Sequence, residues 1–189
     1  HTLDDQAETV LLHLVRGAGL AGATGMAPDA PWPVVEDSGA LRLVRPLLGI
    51  RRLEVLAYLD ALGVEPRIDT TNELVTFHRN RVRHRVVPEL RSINPRVDDA
   101  LVRFAALARR DDDALEAWAR REAAGIVTVE DGAAVSTRAA LRALPPAIAS
   151  RVLRQAAALM GLPLDGEQIE AMLRLAGRRG SALSLAGGQ

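Results

Sequence analysis

The sequence predicts an α/β domain followed by a mainly helical domain that carries a small β-hairpin. Residues 1–94 combine amphipathic helical patterns with one short strand pattern. Residues 95–189 are helical in pattern, apart from two short apolar segments joined through Asp131 and Gly132, a pair typical of a hairpin turn. A length of 189 residues is enough for one large or two modest domains. We place a domain boundary between residues 94 and 95, where the strongest helical pattern begins.

Three amphipathic helices are predicted in the first domain. Residues 5–16 have apolar side chains at helical spacing behind an acidic start, and residues 49–62 repeat that pattern before a glycine. The third helix covers residues 77–90 and is interrupted at Pro88, which lacks the backbone N–H that a helix interior needs. Three leucines of the second helix are expected to face inward: Leu53, Leu56 and Leu59.

One strand is predicted in the first domain, at residues 41–45, and the Pro-rich run before it, residues 27–40, has the composition of turns. A single strand cannot satisfy the hydrogen-bonding groups of its own backbone. We therefore expect its partner strands to lie outside this chain, before His1, as parts of the same α/β domain.

The second domain has the strongest helical pattern of the chain, over residues 95–124, followed by the hairpin at 127–135 and by helices at 146–160 and 166–175. The acidic run at 111–113 is expected to interrupt the long helix and to face water. One stripe of that helix is expected to lie in the core: Leu101, Phe104 and Trp118.

The composition is that of a globular protein and excludes several kinds of site. Hydrophobic residues make up 48% of the chain, and no apolar run is long enough to cross a membrane. The absence of cysteine excludes disulfides, thiolate metal sites and cysteine nucleophiles. Aromatic residues make up only 3%, so base-stacking platforms are not expected. A cytoplasmic location is the simplest interpretation.

The net charge of zero hides an uneven distribution along the chain. Residues 42–110 carry fourteen arginines and eight acidic side chains, whereas residues 1–41 carry one arginine and six acidic side chains. All 24 basic residues are arginine. We attribute the absence of lysine mainly to coding bias, although the planar guanidinium also suits bidentate contact with phosphate.

Three acidic residues open the first helix. Asp4, Asp5 and Glu8 are spaced to share one helix face. One interpretation is a capped helix, with Asp5 as N-cap and Glu8 at position N3. A compatible one is a ligand site, because the helix dipole keeps carboxylates ionised to hold Mg²⁺ beside a nucleotide or to bind a substrate ammonium. His1 could contact the same ligand.

A second cluster, F-H-R-N-R-V-R-H-R at residues 77–85, contains four arginines and two histidines. Helical geometry places Arg81 and Arg85 on one side and Arg79 and Arg83 on the other. Such a cluster can be a solvated helix face, but contact with phosphates is the better interpretation.

A series of motifs in fixed order resembles the tRNA(Ile)-lysidine synthetases, a family of PP-loop ATP pyrophosphatases. Related tRNA-thiolating enzymes share the first motif, whereas the ordered series over residues 1–90 is similar to the narrower family. Residues 95–175 resemble its helical second domain more loosely. The motifs are H-T-L-D-D-Q-A-E-T-V-L-L (1–12), R-G-A-G-L-A-G-A-T-G-M (16–26), R-P-L-L (45–48), D-T-T-N (69–72), R-N-R-V-R (79–83) and P-E-L (88–90).

The resemblance implies that residues 1–94 are the C-terminal part of a PP-loop, adenine-nucleotide-hydrolase-like catalytic domain, and that residues 95–189 form a helical tRNA-binding and substrate domain. It also implies an ATP-dependent ligase that forms a carbon–nitrogen bond. Such an enzyme adenylates the C2 carbonyl of the wobble cytidine in tRNA(Ile) with a CAU anticodon, and the amine of free L-lysine then displaces AMP. ATP and Mg²⁺ are the implied cofactors. No membrane partner is implied, and a homodimer is compatible with the resemblance.

The resemblance also implies roles for individual residues. Asp5 and Glu8 would bind lysine, while His1 and Asp4 would lie near the nucleotide, with Asp4 as the Mg²⁺ ligand. Catalytic roles would fall to Asp4, Asp5 and Arg81. The tRNA would be bound by four arginines: Arg79, Arg81, Arg83 and Arg85.

One feature departs from the family pattern. The phosphate-binding S-G-G-x-D-S loop of the family does not occur in these 189 residues. We therefore expect that this chain by itself neither hydrolyses ATP nor makes lysidine. Two alternatives remain: a PP-loop enzyme of tRNA 2-thiolation, and a non-catalytic tRNA-binding module in which the acidic residues only cap a helix.

Overall fold

The computed structural model describes residues 1–32, 41–67, 77–130 and 133–176. The chain forms two compact units, His1–Asp112 and Asp113–Gln189. Their division lies inside a long continuous helix rather than between residues 94 and 95, and the domain boundary stays a prediction. The D-T-T-N motif and the turn of the second hairpin lie outside the described residues.

The first unit begins with helix α1 (Leu3–Val15), followed by the short helix α2 (Leu20–Ala23). The N-cap of α1 is Thr2, and Asp5 occupies position N3, where its carboxylate accepts the backbone N–H of Thr2 at 2.8 Å. The assignment of Asp5 as N-cap and Glu8 as N3 was therefore wrong. The helix starts earlier because Thr2 supplies the extended N-cap conformation.

Two short strands, β1 (Asp29–Pro31) and β2 (Arg42–Val44), form an antiparallel pair in the first unit. The expectation that the partners of β2 lie outside this chain was wrong, since its partner β1 lies within the Pro-rich run at residues 27–40. Proline can end a strand at a sheet edge, and Pro31 pairs with Arg42 at the end of the ladder.

Helix α3 (Arg52–Ala61) has no buried residue. Leu53 and Leu56 are 75% and 41% exposed, and Leu59 is half-buried, so the prediction that these leucines face inward was wrong. The leucines follow helical spacing, but a side chain is buried only when another element packs against its face of the helix. Among the described residues, no neighbouring element buries a side chain of α3 fully.

The Arg-rich segment forms a nearly continuous rod. Helix α4 (Phe77–Arg81) passes into a π-helical turn (Val82–Val86) and then into helix α5 (Val87–Ile93). Pro88 lies in the first turn of α5. The predicted interruption thus takes the form of a π turn, because Pro88 cannot donate the regular hydrogen bond to the preceding turn.

Helix α6 (Val97–Ile126) is continuous through its acidic run, so the prediction that residues 111–113 interrupt it was wrong. Phe104 and Trp118 are 45% and 38% exposed, and they do not form the predicted core stripe. Smaller side chains are buried instead: Ala105, Ala108 and Ala119. An alanine side chain is small, so a neighbouring element can pack closely against the helix at these positions. The larger side chains Phe104 and Trp118 lie on an adjacent, more exposed face of the helix.

The second unit packs around an apolar core. Its hairpin and helices confirm the predicted helical part with a small antiparallel sheet. In the described part of the chain, no helix is long and apolar enough to cross a bilayer. The remaining elements are β3 (Val127–Glu130), β4 (Ala133–Ser136), α7 (Arg138–Ala143), α8 (Pro146–Leu159) and α9 (Gly166–Ala176). The core residues are Ala119, Leu141, Ile148, Val152, Leu153 and Ile169.

Candidate functional site

The three carboxylates at the start of α1 lie within one ionic cluster. The side chain of Asp4 is 20% exposed, whereas those of Asp5 and Glu8 are 12% and 5% exposed. Buried carboxylates require charged or hydrogen-bonding partners. Here the partners are mostly arginines that come from α3, α4, the π turn and α5.

Glu8 is held by two arginines of the Arg-rich segment. Arg83 forms a bidentate pair with it, donating from Nε to Oε1 at 2.7 Å and from Nη2 to Oε2 at 2.9 Å. Arg79 donates from Nε to Oε2 at 3.2 Å. The two arginines are four positions apart, and the structure confirms that they share a face. That face meets α1.

Asp5 accepts donors at both oxygens. Its Oδ2 accepts the backbone N–H and the hydroxyl of Thr2, and its Oδ1 accepts Nη2 of Arg52 and of Arg83, each at 3.0 Å. Burial alone would raise the pKa of Asp5, but the Thr2 hydrogen bonds and the charges of Arg52 and Arg79 outweigh it and lower that pKa. Asp5 is therefore ionised at neutral pH.

Asp4 is held from the start of α3 and from α5. Its Oδ2 accepts the backbone N–H of Arg52 at 2.8 Å, and its Oδ1 accepts Nη2 of Arg91 at 3.3 Å. Arg91 also forms a bidentate pair with Asp98 on α6, at 2.7 and 3.0 Å. The hydrogen bond to Asp98, which is only 1% exposed, raises the pKa of Arg91.

A glutamine inside the first motif fixes the loop that follows α1. The amide of Gln6 accepts the backbone N–H of Met26 at 2.8 Å and donates to its carbonyl at 3.0 Å. Gly25 has a φ of +63°, and a Cβ there would lie 2.8 Å from Oε1 of Gln6. This glycine is therefore required both by its backbone conformation and by the close approach of Gln6.

Sequence reasoning missed Gln6, Arg52, Arg91 and Asp98. Two of these residues had a signal in the sequence. Gln6 lies inside the first motif, and Asp98 lies in the first turn of a strongly amphipathic helix, although an acid there is also explained by the helix dipole. Arg52 and Arg91 carried no such signal. Their partners lie far away in the sequence, and spacing along one helix cannot indicate them.

The ionic cluster offers both signs of charge to a ligand. Carboxylates alternate with guanidinium groups, so a ligand with one charge of each sign can exchange with an internal pair without leaving an isolated buried ion. A ligand with a single charge would leave one partner uncompensated. The members of the cluster are Asp4, Asp5, Glu8, Asp98, Arg52, Arg79, Arg83 and Arg91.

The other predicted site residues stand apart from these carboxylates. Arg81 and Arg85 are exposed, and His1 is exposed ahead of α1. Arg81 lines a surface groove beside the C-terminal half of α1. The structure therefore separates the four arginines of the segment into an inward pair, Arg79 and Arg83, and an exposed pair.

The fit of Mg²⁺ can be judged from the donor set. Within residues 1–32, 41–67, 77–130 and 133–176, no three histidine or acidic side chains form a group that could hold a metal ion. Both oxygens of Asp4 already accept hydrogen bonds. Asp4 thus suits Mg²⁺ only as a single protein ligand, with nucleotide phosphates and water supplying the rest.

Comparison with known proteins identifies two domains in this chain. Residues 1–90 match the model of a PP-loop domain, and residues 137–189 match the model of the TilS substrate binding domain. The first match agrees with the predicted α/β class, and the second covers most of the helical part.

Several curated relatives carry one name, tRNA(Ile)-lysidine synthase. The protein of Streptomyces coelicolor is 39% identical over 99% of this chain and 52% of its own length. The protein of Leifsonia xyli is 41% identical over 82% of this chain and 44% of its own length. The protein of Dehalococcoides mccartyi is 37% identical over 82% of this chain and 33% of its own length.

The chain thus spans about a third to a half of the length of these three relatives. The motif order, the two domain matches and these identities agree with one another. The chain belongs to the tRNA(Ile)-lysidine synthase family.

Proposed function

We propose that this chain supplies the lysine-binding and tRNA-binding surfaces of an ATP-dependent ligase that makes lysidine. In this reaction the C2 carbonyl oxygen of the wobble cytidine of tRNA(Ile) attacks the α-phosphate of ATP, and pyrophosphate leaves. The amine of lysine then attacks C2, loses a proton, and displaces AMP. Family membership and the names of the relatives support this proposal.

The ionic cluster is the observation that carries the lysine assignment. Free lysine has a carboxylate and two amino groups, so it presents both signs of charge, as the cluster does. Glu8 and Asp5 are buried carboxylates suited to an ammonium. The arginines that now pair with them, Arg79 and Arg83, are suited to a carboxylate. Entry of lysine would replace internal ion pairs with equivalent pairs to the ligand.

The nucleotide side of the reaction is assigned to the start of α1. A carbonyl oxygen becomes a leaving group only when it is esterified, which explains the need for ATP. Asp4 is the most exposed carboxylate of the cluster, and we assign it to the nucleotide together with His1. Mg²⁺, when bound with ATP, would neutralise phosphate charge, with Asp4 as one ligand.

The tRNA is assigned first to the exposed arginines. Arg81 and Arg85 are exposed, and within the described residues neither has an ion pair to an acidic side chain. They can therefore contact phosphate without losing an internal partner. Arg79 and Arg83 would have to break their pairs with Glu8 before they could bind the tRNA backbone. A catalytic contribution of Arg81 remains part of this proposal.

Lysine binding by the chain itself tests the proposal. Isothermal titration calorimetry should detect lysine binding, and norleucine, which lacks the side-chain ammonium, should bind at least tenfold more weakly. Glu8→Gln should also weaken lysine binding about tenfold or more, because one charge of a desolvated pair is lost. Glu8→Asp, which keeps the charge, should restore part of the affinity.

Glu167→Gln provides the matched control, since Glu167 is exposed in the first turn of α9. It should leave lysine affinity unchanged. Equal binding of lysine and norleucine, or equal effects of the Glu8→Gln and Glu167→Gln substitutions, would contradict the lysine assignment. A chain that binds tRNA but not lysine would instead be the non-catalytic tRNA-binding module.

A further inference from the structure

A groove runs between the C-terminal half of α1 and the segment formed by α4 and the π turn. Its volume is about 370 Å³, within the range of sites for small organic ligands. The ionic cluster contributes no residue to it. The residues that matter for its chemistry are Leu12, Val15, Arg16, Arg81, Val82 and Val86.

The rim of the groove is cationic. Arg16 and Arg81 are exposed, and His78 adds a third basic group, while no acidic side chain lines the groove. Elsewhere on the same segment, Arg79 and Arg83 are paired with Glu8. In the described part of the chain, the rim arginines have no such ion pair. The groove therefore complements an anion.

The floor of the groove is apolar. Val82, one of its lining residues, is 6% exposed, whereas Val15 is 80% exposed. Leu12 and Val86 complete the surface. An isolated inorganic anion would gain nothing from such a floor, whereas a ligand with a planar organic body and one phosphate would use both features.

The groove continues the α1 face that carries the acidic site. Glu8, Leu12 and Val15 are spaced by four and three residues, so they follow one stripe of the helix. With a rise of 1.5 Å per residue, the groove begins roughly 6 to 11 Å along α1 from Glu8. That separation is comparable to the step between neighbouring nucleotides of a single strand.

We propose that the groove binds the nucleotide next to the modified cytidine, with its base on the apolar floor and its phosphate between Arg16 and Arg81. The inference rests on the proposed function, because it takes the substrate to be the anticodon loop of a tRNA. It adds a subsite that recognises a flanking nucleotide and so contributes to the choice of substrate.

Binding of a synthetic anticodon stem-loop with a CAU anticodon, measured by fluorescence anisotropy, tests the base contact. An abasic position on one side of the target cytidine should weaken binding about tenfold, because one base loses its contact with the apolar floor. Val15→Ser, an uncharged change at an exposed position, should weaken binding of the intact loop similarly. The two losses should not add, because both remove the same contact.

The phosphate contact is tested by the salt dependence of stem-loop binding. Arg16→Gln should reduce the slope of log affinity against log salt concentration by about 1. Arg110→Gln removes an exposed arginine of α6 outside the groove and should leave the slope unchanged.

Additive losses for the abasic and Val15→Ser changes would overturn the proposal, as would equal salt slopes for the two arginine variants. Failure of the chain to bind the stem-loop at all would overturn it too. Lysine calorimetry decides the proposed function separately, so a chain that binds lysine normally but fails these tests would lack only the flanking-nucleotide subsite.

Discussion

The two units of the chain are stabilised in different ways. In the second unit, side chains such as Ile148 and Val152 are fully buried in one apolar cluster. In the first unit, ion pairs join α1 to the elements around it, beside buried apolar side chains such as Ala7 and Val10. Ion pairs are directional and can exchange with a charged ligand, whereas an apolar core cannot. Exchange of ion pairs with a charged ligand is therefore expected in the first unit, whereas burial of apolar side chains mainly stabilises the second.

The largest expected effect tests the apolar side of this comparison. Ile148→Ala should lower the free energy of unfolding by about 2–5 kcal/mol, because it leaves a cavity at a side chain that is 0% exposed. Urea unfolding followed by circular dichroism measures this loss. Leu159→Ala, at a side chain that is 67% exposed on the same helix, should cost less than about 0.5 kcal/mol. Similar costs for the two variants would break the comparison.

A smaller effect is expected on the ionic side. Breaking a buried pair costs about 3–5 kcal/mol, but Arg91 is 42% exposed, so we expect Asp98→Asn to cost about 1–2 kcal/mol. Asp99→Asn removes the partner of Arg51 at a side chain that is 34% exposed and should cost at most about 0.5 kcal/mol. Hydrogen exchange should show Asp98→Asn loosening α1 and α5 but not α8. Loosening of α8 instead would contradict a separate ionic unit.

The smallest effect is a dependence on pH. The folded state lowers the pKa of Asp5, so ionised Asp5 stabilises the fold above its unfolded pKa, and this contribution is lost as the pH falls through the lower, folded value. The stability difference between the natural chain and Asp5→Asn should therefore be constant above about pH 5 and shrink below about pH 4. Urea unfolding at a series of pH values measures it. A difference that grows as the pH falls would contradict the assigned sign.

Local patterns predicted what depends on neighbours in the sequence. The longer helices, the hairpin of the second unit and the shared face of Arg79 and Arg83 follow from spacing along one element, whereas the short helices α2 and α7 were not predicted. Burial was predicted less well. Leu53 and Trp118 have the right spacing for a core, yet both are exposed, because burial depends on whether another element covers that face.

The candidate site was also predicted only where it depends on residues close in sequence. The three carboxylates of α1 were indicated by their motif, but Glu8 meets Arg83 across 75 positions of sequence, and Asp4 meets Arg91 across 87. No periodicity connects residues so far apart. The strand Asp29–Pro31 was missed for a related reason, since its proline content resembles a turn until its partner is known.

The π turn at Val82–Val86 determines the directions in which the arginines before and after it point around the helix axis. A π turn holds one residue more than an α-helical turn would, and loss of that residue would rotate everything beyond it by about 100°. Arg79 would keep its contact with Glu8, while Arg91 would swing away from Asp4 and Asp98. The extra residue of the π turn therefore lets Arg79 at one end of the segment and Arg91 at the other both contact carboxylates of α1.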